Sequence, residues 1–267
     1  MIGFNRLGLL GRLGNQMFQY ASLRGIAAKN GYNFMIPPPA ESYEKMDEWR
    51  HHQILYPFTM ETLQNLNVQY TDGERPTVSE KTFGFDKDLY ENCPKWVNVD
   101  GYFQTEKYFK EIEDDIRKDF TFKSQFLRPS RSMIGSFEDP VSLHIRRTDY
   151  LDLAHHHNNL GLDYYEEALS HFDEDRNVVI FSDDPEWCKE QSLFESDRFL
   201  VAEGNINYTD MCLMSLCKAH IIANSSFSWW GAWLAKSEKV IAPSKWFGPD
   251  NQHLDTNDIY CEGWIVI

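Results

Sequence analysis

The carboxy-terminal half of the chain predicts an α/β fold, a parallel sheet with helices on both faces. Two observations carry this. Short apolar, β-prone runs alternate with helical stretches between residues 141 and 242. The turn Ser182-Asp-Asp-Pro185 after one of these runs carries capping residues and a proline suited to a first helical position. In such sheets ligands bind beyond the carboxyl ends of the strands, so functional residues are expected just after Ile145, Phe181 and Ala223.

Taken in order, a strand near Ile2 to Leu10 leads into Gly11-Arg-Leu-Gly-Asn15, followed by a helix from about Gln16 to Asn30 that Gly31 stops. Pro37-Pro-Pro39 breaks the chain, and residues 40–100 give no clear order of elements. Thr105 to Phe120 reads as an amphipathic helix, with Tyr108, Phe109, Ile112, Ile116 and Phe120 on one face. The polar stretch Lys123 to Phe137, with Arg128-Pro-Ser-Arg131, reads as the interdomain linker, giving domains over 1–125 and 138–267. Beyond it come a strand at Val141–Ile145, a helix beginning at Asp163, strands at Asn177–Phe181 and Phe199–Val201, a helix from Thr209 to Lys218, a strand at His220–Ala223, a helix from Ser226 to Lys236 and a strand at Lys239–Ala242.

Composition bounds the function. With 267 residues, 42% hydrophobic and 15% aromatic, the chain can bury a sizeable core. A formal net charge of -15 argues against nucleic acid or an anionic membrane as the main partner. An anionic ligand would have to be met by a few local cations and by backbone N–H groups. Five cysteines without a CxxC, and no signal peptide or apolar run of spanning length, lead us to expect reduced thiols in a cytoplasmic setting, soluble or at most peripheral to a membrane.

Four motifs carry candidate chemistry. Gly11-Arg-Leu-Gly-Asn-Gln16 feeds a helix N-terminus and is either an anion cradle or an ordinary strand-to-helix turn. In His144-Ile-Arg-Arg-Thr-Asp-Tyr150, alternation puts His144 and Arg146 on one side of a strand's end. There an arginine can grip a diphosphate with two parallel hydrogen bonds, or the arginines can form surface ion pairs. Ser182, Asp183 and Asp184 can accept from a ribose or a guanine edge, or cap a helix. In Asn224-Ser-Ser-Phe-Ser-Trp-Trp-Gly-Ala-Trp233, hydroxyls and open N–H groups suit a phosphate, while Trp229, Trp230 and Trp233 are expected to pack the core.

These motifs, together with Gly101-Tyr-Phe-Gln-Thr-Glu-Lys-Tyr-Phe109, resemble the α-1,2-fucosyltransferase family, particularly its bacterial-type members. Arg12 departs from the glycine common at that place, and the chain is shorter than many members. The resemblance implies a GT-B architecture of two Rossmann-like domains with a cleft between them. It implies an inverting, metal-independent transfer from GDP-β-L-fucose to O2 of a terminal β-galactoside, with no cofactor. By motif position, Arg146 would hold the β-phosphate, His144 and Asp183 would contact the guanosine, and Ser225, Ser226 and Phe227 would surround the phosphates. Arg147, Ser182, Asp184 and Asn224 complete the donor set, and Gly14 and Asn15 would approach the donor from the amino-terminal domain. Asp149 would be a general base or would orient an arginine. The alternatives are a fucosyltransferase of α-1,6 or protein O-linkage and a non-catalytic sugar- or nucleotide-binding module. Asp173-Glu-Asp175 is expected to be solvated surface, and His155-His-His157 defines no metal site.

Overall fold

The computed structural model describes residues 1–37, 53–65, 69–70 and 75–267. Pro38, Pro39 and, from the stretch 40–100 whose elements the sequence does not order, residues 40–52, 66–68 and 71–74 lie outside them. The chain divides into two compact units, Met1–Lys123 with Asp255–Cys261, and Ser124–Leu254 with Glu262–Ile267.

In the first unit, strands β1 (Ile2–Gly3), β2 (Phe34–Ile36), β3 (Gln69–Tyr70), β4 (Thr77–Ser79) and β5 (Asn98–Asp100) form one sheet in the order β3-β2-β1-β5-β4, every pair parallel. Helices α1 (Leu13–Lys29), α2 (Glu61–Asn65) and α3 (Lys87–Asn92) lie between them in the chain, and α4 (Glu113–Asp119) follows β5. The expected strand to Leu10 ends at Gly3, because the chain turns through Gly8 and Gly11, both at positive φ. Helix α1 starts three residues earlier than expected and buries Leu13, Met17, Phe18, Leu23 and Ile26. A Cβ on its Gly25 would lie 1.7 Å from the Tyr108 carbonyl oxygen, so only glycine lets the helix lie against this segment.

The expected helix over 105–120 is interrupted. It forms single 3-10 turns at Glu106–Tyr108 and Lys110–Ile112, then α4. Phe109 and Ile112 leave helical geometry (φ -131° and -121°). Four of the five residues of the expected apolar face, Tyr108, Phe109, Ile116 and Phe120, are nonetheless buried, while Ile112 is half-buried. Periodicity located the face but could not tell linked 3-10 turns from continuous helix.

The second unit holds α5 (Ser124–Ile134), β6 (Val141–Ile145), α6 (Thr148–Asp152), α7 (Leu162–Leu169), β7 (Val178–Ser182), α8 (Pro185–Lys189), β8 (Phe199–Val201), α9 (Asn207–Met214), β9 (Ala219–Ile221), α10 (Ser226–Ala235), β10 (Lys239–Ala242) and β11 (Ile265–Val266). Its sheet runs β11-β10-β9-β6-β7-β8, all parallel. Read from the other edge, this is the doubly wound 3-2-1-4-5-6 order, which reverses between β6 and β9. All five residues of β6 are buried, as a central strand covered on both faces requires.

Two boundary expectations change. The stretch expected as a linker is helix α5, which tolerates Pro129 and buries Phe126 and Ser130, with Phe126 edge-on to Tyr208. The carboxy-terminal domain expected over 138–267 is not continuous. Residues 255–261 belong to the first unit, where Asp258 accepts a hydrogen bond from the Phe85 amide (2.8 Å) and pairs with Lys107.

A buried ion pair anchors the first unit. Asp119, fully buried, accepts from the Tyr20 hydroxyl (2.8 Å) and the Thr62 amide (2.6 Å) and pairs with Arg24. Removing one partner strands the other charge, so Asp119→Ala should lower the unfolding free energy by about 3–5 kcal/mol. Chemical denaturation of the variant beside wild type checks this, and a change under about 1 kcal/mol would show the pair to be dispensable.

Candidate active site

The site of the second unit grows from the carboxyl end of β6. The register Ile145↔Ser182 sets residues 146–148 opposite Asp183 and Asp184. Asp183 fastens that loop. Its Oδ1 accepts from the Arg147 amide (2.8 Å), and its Oδ2 accepts from the Thr148 hydroxyl (2.6 Å) and pairs with Arg146 Nη1 (3.0 Å). Arg146 Nη2 lies 2.5 Å from Asp149 Oδ1, so the guanidinium is held between two carboxylates while 17% of its side chain stays exposed. Arg147 leaves the loop toward other partners, with its Nε 3.1 Å from Asp184 Oδ2 and its guanidinium carbon 3.8 Å from the Trp187 ring centre. The two adjacent arginines thus serve different surroundings, as strand alternation predicts.

Several residues of the expected donor set also build this scaffold. Ser182 Oγ accepts from the Asp184 amide (3.0 Å), and Asp184 Oδ1 caps α8 by accepting from the Trp187 amide (3.3 Å). Asn224 donates both amide hydrogens inward, to the carbonyls of Asn158 and Trp246 (2.8 Å each). It is an anchor for the turn after β9, and its own carbonyl accepts from the Tyr150 hydroxyl (3.1 Å). Ser225 Oγ caps α10 by accepting from the Phe227 amide (3.3 Å), which leaves Ser226 as the first helical residue, half-buried at the helix N-terminus. An anion at this end would meet amide hydrogens that the helix itself cannot satisfy.

His144 joins β6 to α10. Its Nδ1 lies 2.9 Å from Ser228 Oγ, and its ring centre lies 5.7 Å from that of Phe227. Burial, assisted by the Arg146 charge, pushes its pKa down to about 3, so the imidazole is neutral at pH 7. Ser228 was not among the expected site residues. Its only signal was a helical position three residues after Ser225 within the same motif. Trp229 and Trp230 are fully buried and Trp233 nearly so, and both Trp229 and Trp233 meet Trp230 edge-on, which makes them core as expected. Asp173, Glu174 and Asp175 lie in an exposed turn.

In the first unit, Gly14 and Asn15 open α1 at the place where that sheet's order reverses, between β1 and β5. Asn15 Oδ1 accepts from Gln104 Nε2 (2.8 Å), joining the glycine loop to the segment after β5. Gly11, at φ +74°, has no room for a Cβ against the Asn15 side chain.

A reversal point flanked by a fixed guanidinium and a helix N-terminus is the place where doubly wound α/β sheets bind their ligands. The chain belongs to glycosyl transferase family 11, whose model matches residues 1–267. It is 32% identical to an alpha-1,2-colitosyltransferase of Escherichia coli, over 97% of each chain. It is 25% identical to galactoside alpha-(1,2)-fucosyltransferase 1 of Bos taurus, over 86% of this chain and 66% of that protein. The crystal structure of POFUT1 in complex with GDP-fucose shares the fold, with a TM-score of 0.52 and 13% identity over 88% of this chain and 94% of that one. The fold is α/β of the GT-B type. Among the described residues no helix is long and apolar enough to cross a membrane.

The neutral His144 has a measurable consequence. The unfolded chain takes up a proton near pH 6.5, whereas the folded chain resists until about pH 3, so His144 costs stability as pH falls through that window. His144→Gln can keep the bond to Ser228 without titrating. Between pH 7 and pH 5, wild type should lose about 2 kcal/mol relative to this variant. Denaturation curves at the two pH values decide it, and parallel losses in both proteins would show that His144 is not buried as a neutral ring.

Proposed function

We propose that this glycosyltransferase moves L-fucose from GDP-β-L-fucose to O2 of a terminal β-galactoside, with inversion and without a metal ion. The observation that carries the reading is Arg146, fixed at the reversal point of the second sheet by Asp149 and Asp183. A relative named as a galactoside α-1,2-fucosyltransferase and a GDP-fucose complex of the same fold support the choice of donor and linkage.

In this mechanism the acceptor O2 attacks the anomeric carbon as the bond from that carbon to the β-phosphate oxygen breaks. The electron pair leaves with GDP. Negative charge grows on the departing diphosphate, and stabilisation there lowers the barrier. Arg146 supplies a two-pronged cation and the α10 N-terminus supplies amide hydrogens, so the charge can be met by the chain alone. The 2.5 Å contact between Asp149 and Arg146 supports an orienting role for Asp149. The proton of O2 then leaves late, to solvent water, from a transition state in which the sugar already carries oxocarbenium character. His144, neutral behind α10, contributes shape without competing charge.

A second donor has a specific observation in its favour, the 32% identity to a colitosyltransferase. Colitose is fucose without its 3-hydroxyl. Competition between GDP-fucose and GDP-colitose for one galactoside acceptor, with linkage analysis of the products, separates the two readings. Exclusive use of GDP-colitose would replace the donor and keep the mechanism. A product joined elsewhere than O2 would overturn the acceptor assignment.

Arg146→Ala should cut turnover by roughly a hundred-fold or more, the usual loss when a transition-state donor is removed. Arg146→Lys should recover little, since an ammonium cannot reproduce the planar fork. Arg147→Ala should cost less, because Arg147 faces Asp184 and Trp187. Steady-state transfer by variants with wild-type melting temperatures checks the series, and near wild-type activity of Arg146→Ala would sink the mechanism.

Excess EDTA should leave turnover nearly unchanged, because Arg146 and the helix terminus already compensate the leaving group. A complete loss restored by manganese would require a metal-assisted route instead.

A further inference from the structure

The tripeptide His155-His-His157 remained outside the donor motifs, yet one of its members is built into their surroundings. The His157 and Tyr150 rings lie parallel, 4.1 Å apart with 7° between their planes. Tyr150 in turn meets the Arg146 guanidinium carbon at 5.4 Å from its ring centre, and its hydroxyl is tied to the Asn224 carbonyl. His157, Tyr150 and Arg146 thus form a continuous chain of contacts that ends on the cation of the proposed site.

The backbone that presents His157 is fastened independently of its side chain. His157 bridges Phe247, the Gly248 amide donates to the His156 carbonyl (3.0 Å), and the Asp250 amide donates to the His155 carbonyl (2.9 Å). A Cβ on Gly248 would lie 2.6 Å from the carbonyl oxygens of Ala154 and His155, so the two segments meet without room for a side chain there. Burial lowers the His157 pKa; Asp149 opposes this, while His156 and Arg146 add to it. A neutral imidazole can stack on Tyr150 without placing a second cation beside Arg146.

We propose that His157 is a positioning residue for Arg146, acting through the Tyr150 ring to hold the guanidinium where the donor diphosphate meets it. The proposal rests on the reading of Arg146 as the diphosphate-binding residue. Tyr150 is wedged by its ring against His157 and by its hydroxyl against the turn before α10, which fixes the surface over which Arg146 lies. Loss of the imidazole frees one side of that ring, and the guanidinium gains orientations that do not suit two parallel bonds to phosphate. The aromatic face is what matters, not the ring nitrogens.

The test measures GDP binding by calorimetry, GDP-fucose transfer and thermal melting for four variants. His157→Ala and His157→Leu should weaken GDP binding by about two- to ten-fold, within the worth of one lost aromatic pair, with thermal melting still cooperative and lowered by no more than a few degrees. His157→Phe, which restores a flat ring, should recover most of that loss. In an Arg146→Ala background, adding His157→Ala should change GDP affinity less than about two-fold, because residues acting through one contact are not additive. A well-folded His157→Leu with wild-type GDP affinity, or an equal loss in both backgrounds, would overturn the positioning role. If Arg146→Ala alone leaves GDP affinity unchanged, the donor reading has failed, and the positioning role falls with it for that separate reason.

Discussion

Asp183 is the interaction on which the candidate site depends. Its two oxygens take a main-chain amide, a hydroxyl and a guanidinium from three consecutive residues, Arg147, Thr148 and Arg146. A loop leaving a buried strand has amide groups that must find partners, and here one side chain on the neighbouring strand's end supplies them. The consequence is geometric. Arg146 is held at a fixed height above the sheet before any ligand arrives, so less ordering remains to be done on binding.

Fixing a cation in this way has an electrostatic cost. Arg146 and Arg147 face three carboxylates, those of Asp149, Asp183 and Asp184, in a chain of net charge -15. The cluster taken as a whole does not draw an anion from a distance. On the proposed reading, a nucleotide diphosphate would instead be held by directed short-range donors, the guanidinium fork and the amides at the start of α10, whose strength depends on alignment. That is why small errors in the orientation of Arg146 should matter more here than in a site rich in lysine.

Much of this could be read from residue types because burial dictates them. A run such as Val141-Ser-Leu-His-Ile145 between polar loops has one use in an α/β unit, a central strand, and the residues that follow it then lie at the sheet's ligand-binding edge. What was illegible depends on partners distant in the chain. Nothing local marks Ser228 as the partner of His144, or His157 as the partner of Tyr150. The same holds for Asp183. Its type suits a base contact or a cap, and only its bonds to residues 146–148 show that it also fastens the Arg146 loop. Arg128-Pro-Ser-Arg131 has the composition of a turn, whereas Phe126 and its contact with Tyr208 make the segment helix α5 by packing. The return of residues 255–261 to the first unit is likewise a tertiary choice, made by Asp258 against Phe85 and Lys107.

The amide donors of α10 owe their aim to the far side of the helix. Trp229 and Trp230 are fully buried, Trp233 stacks nearly parallel to Trp229 at 6.3 Å, and Trp264 closes on Trp229 at 5.6 Å. Gly231 lets α9 approach, since a Cβ there would lie 2.9 Å from the Met214 Cβ. Large flat side chains leave few alternative packings, and close-packed interiors deform little, so rotation or sliding of α10 is opposed along its length. His144 and Ser228 then register the same helix against β6, the strand that launches Arg146. The cation and the helix terminus are therefore referred to one rigid element each, and those elements to one another. The proposed grip on a diphosphate from two directions would need that common reference, and an apolar wall of tryptophan supplies it without adding charge.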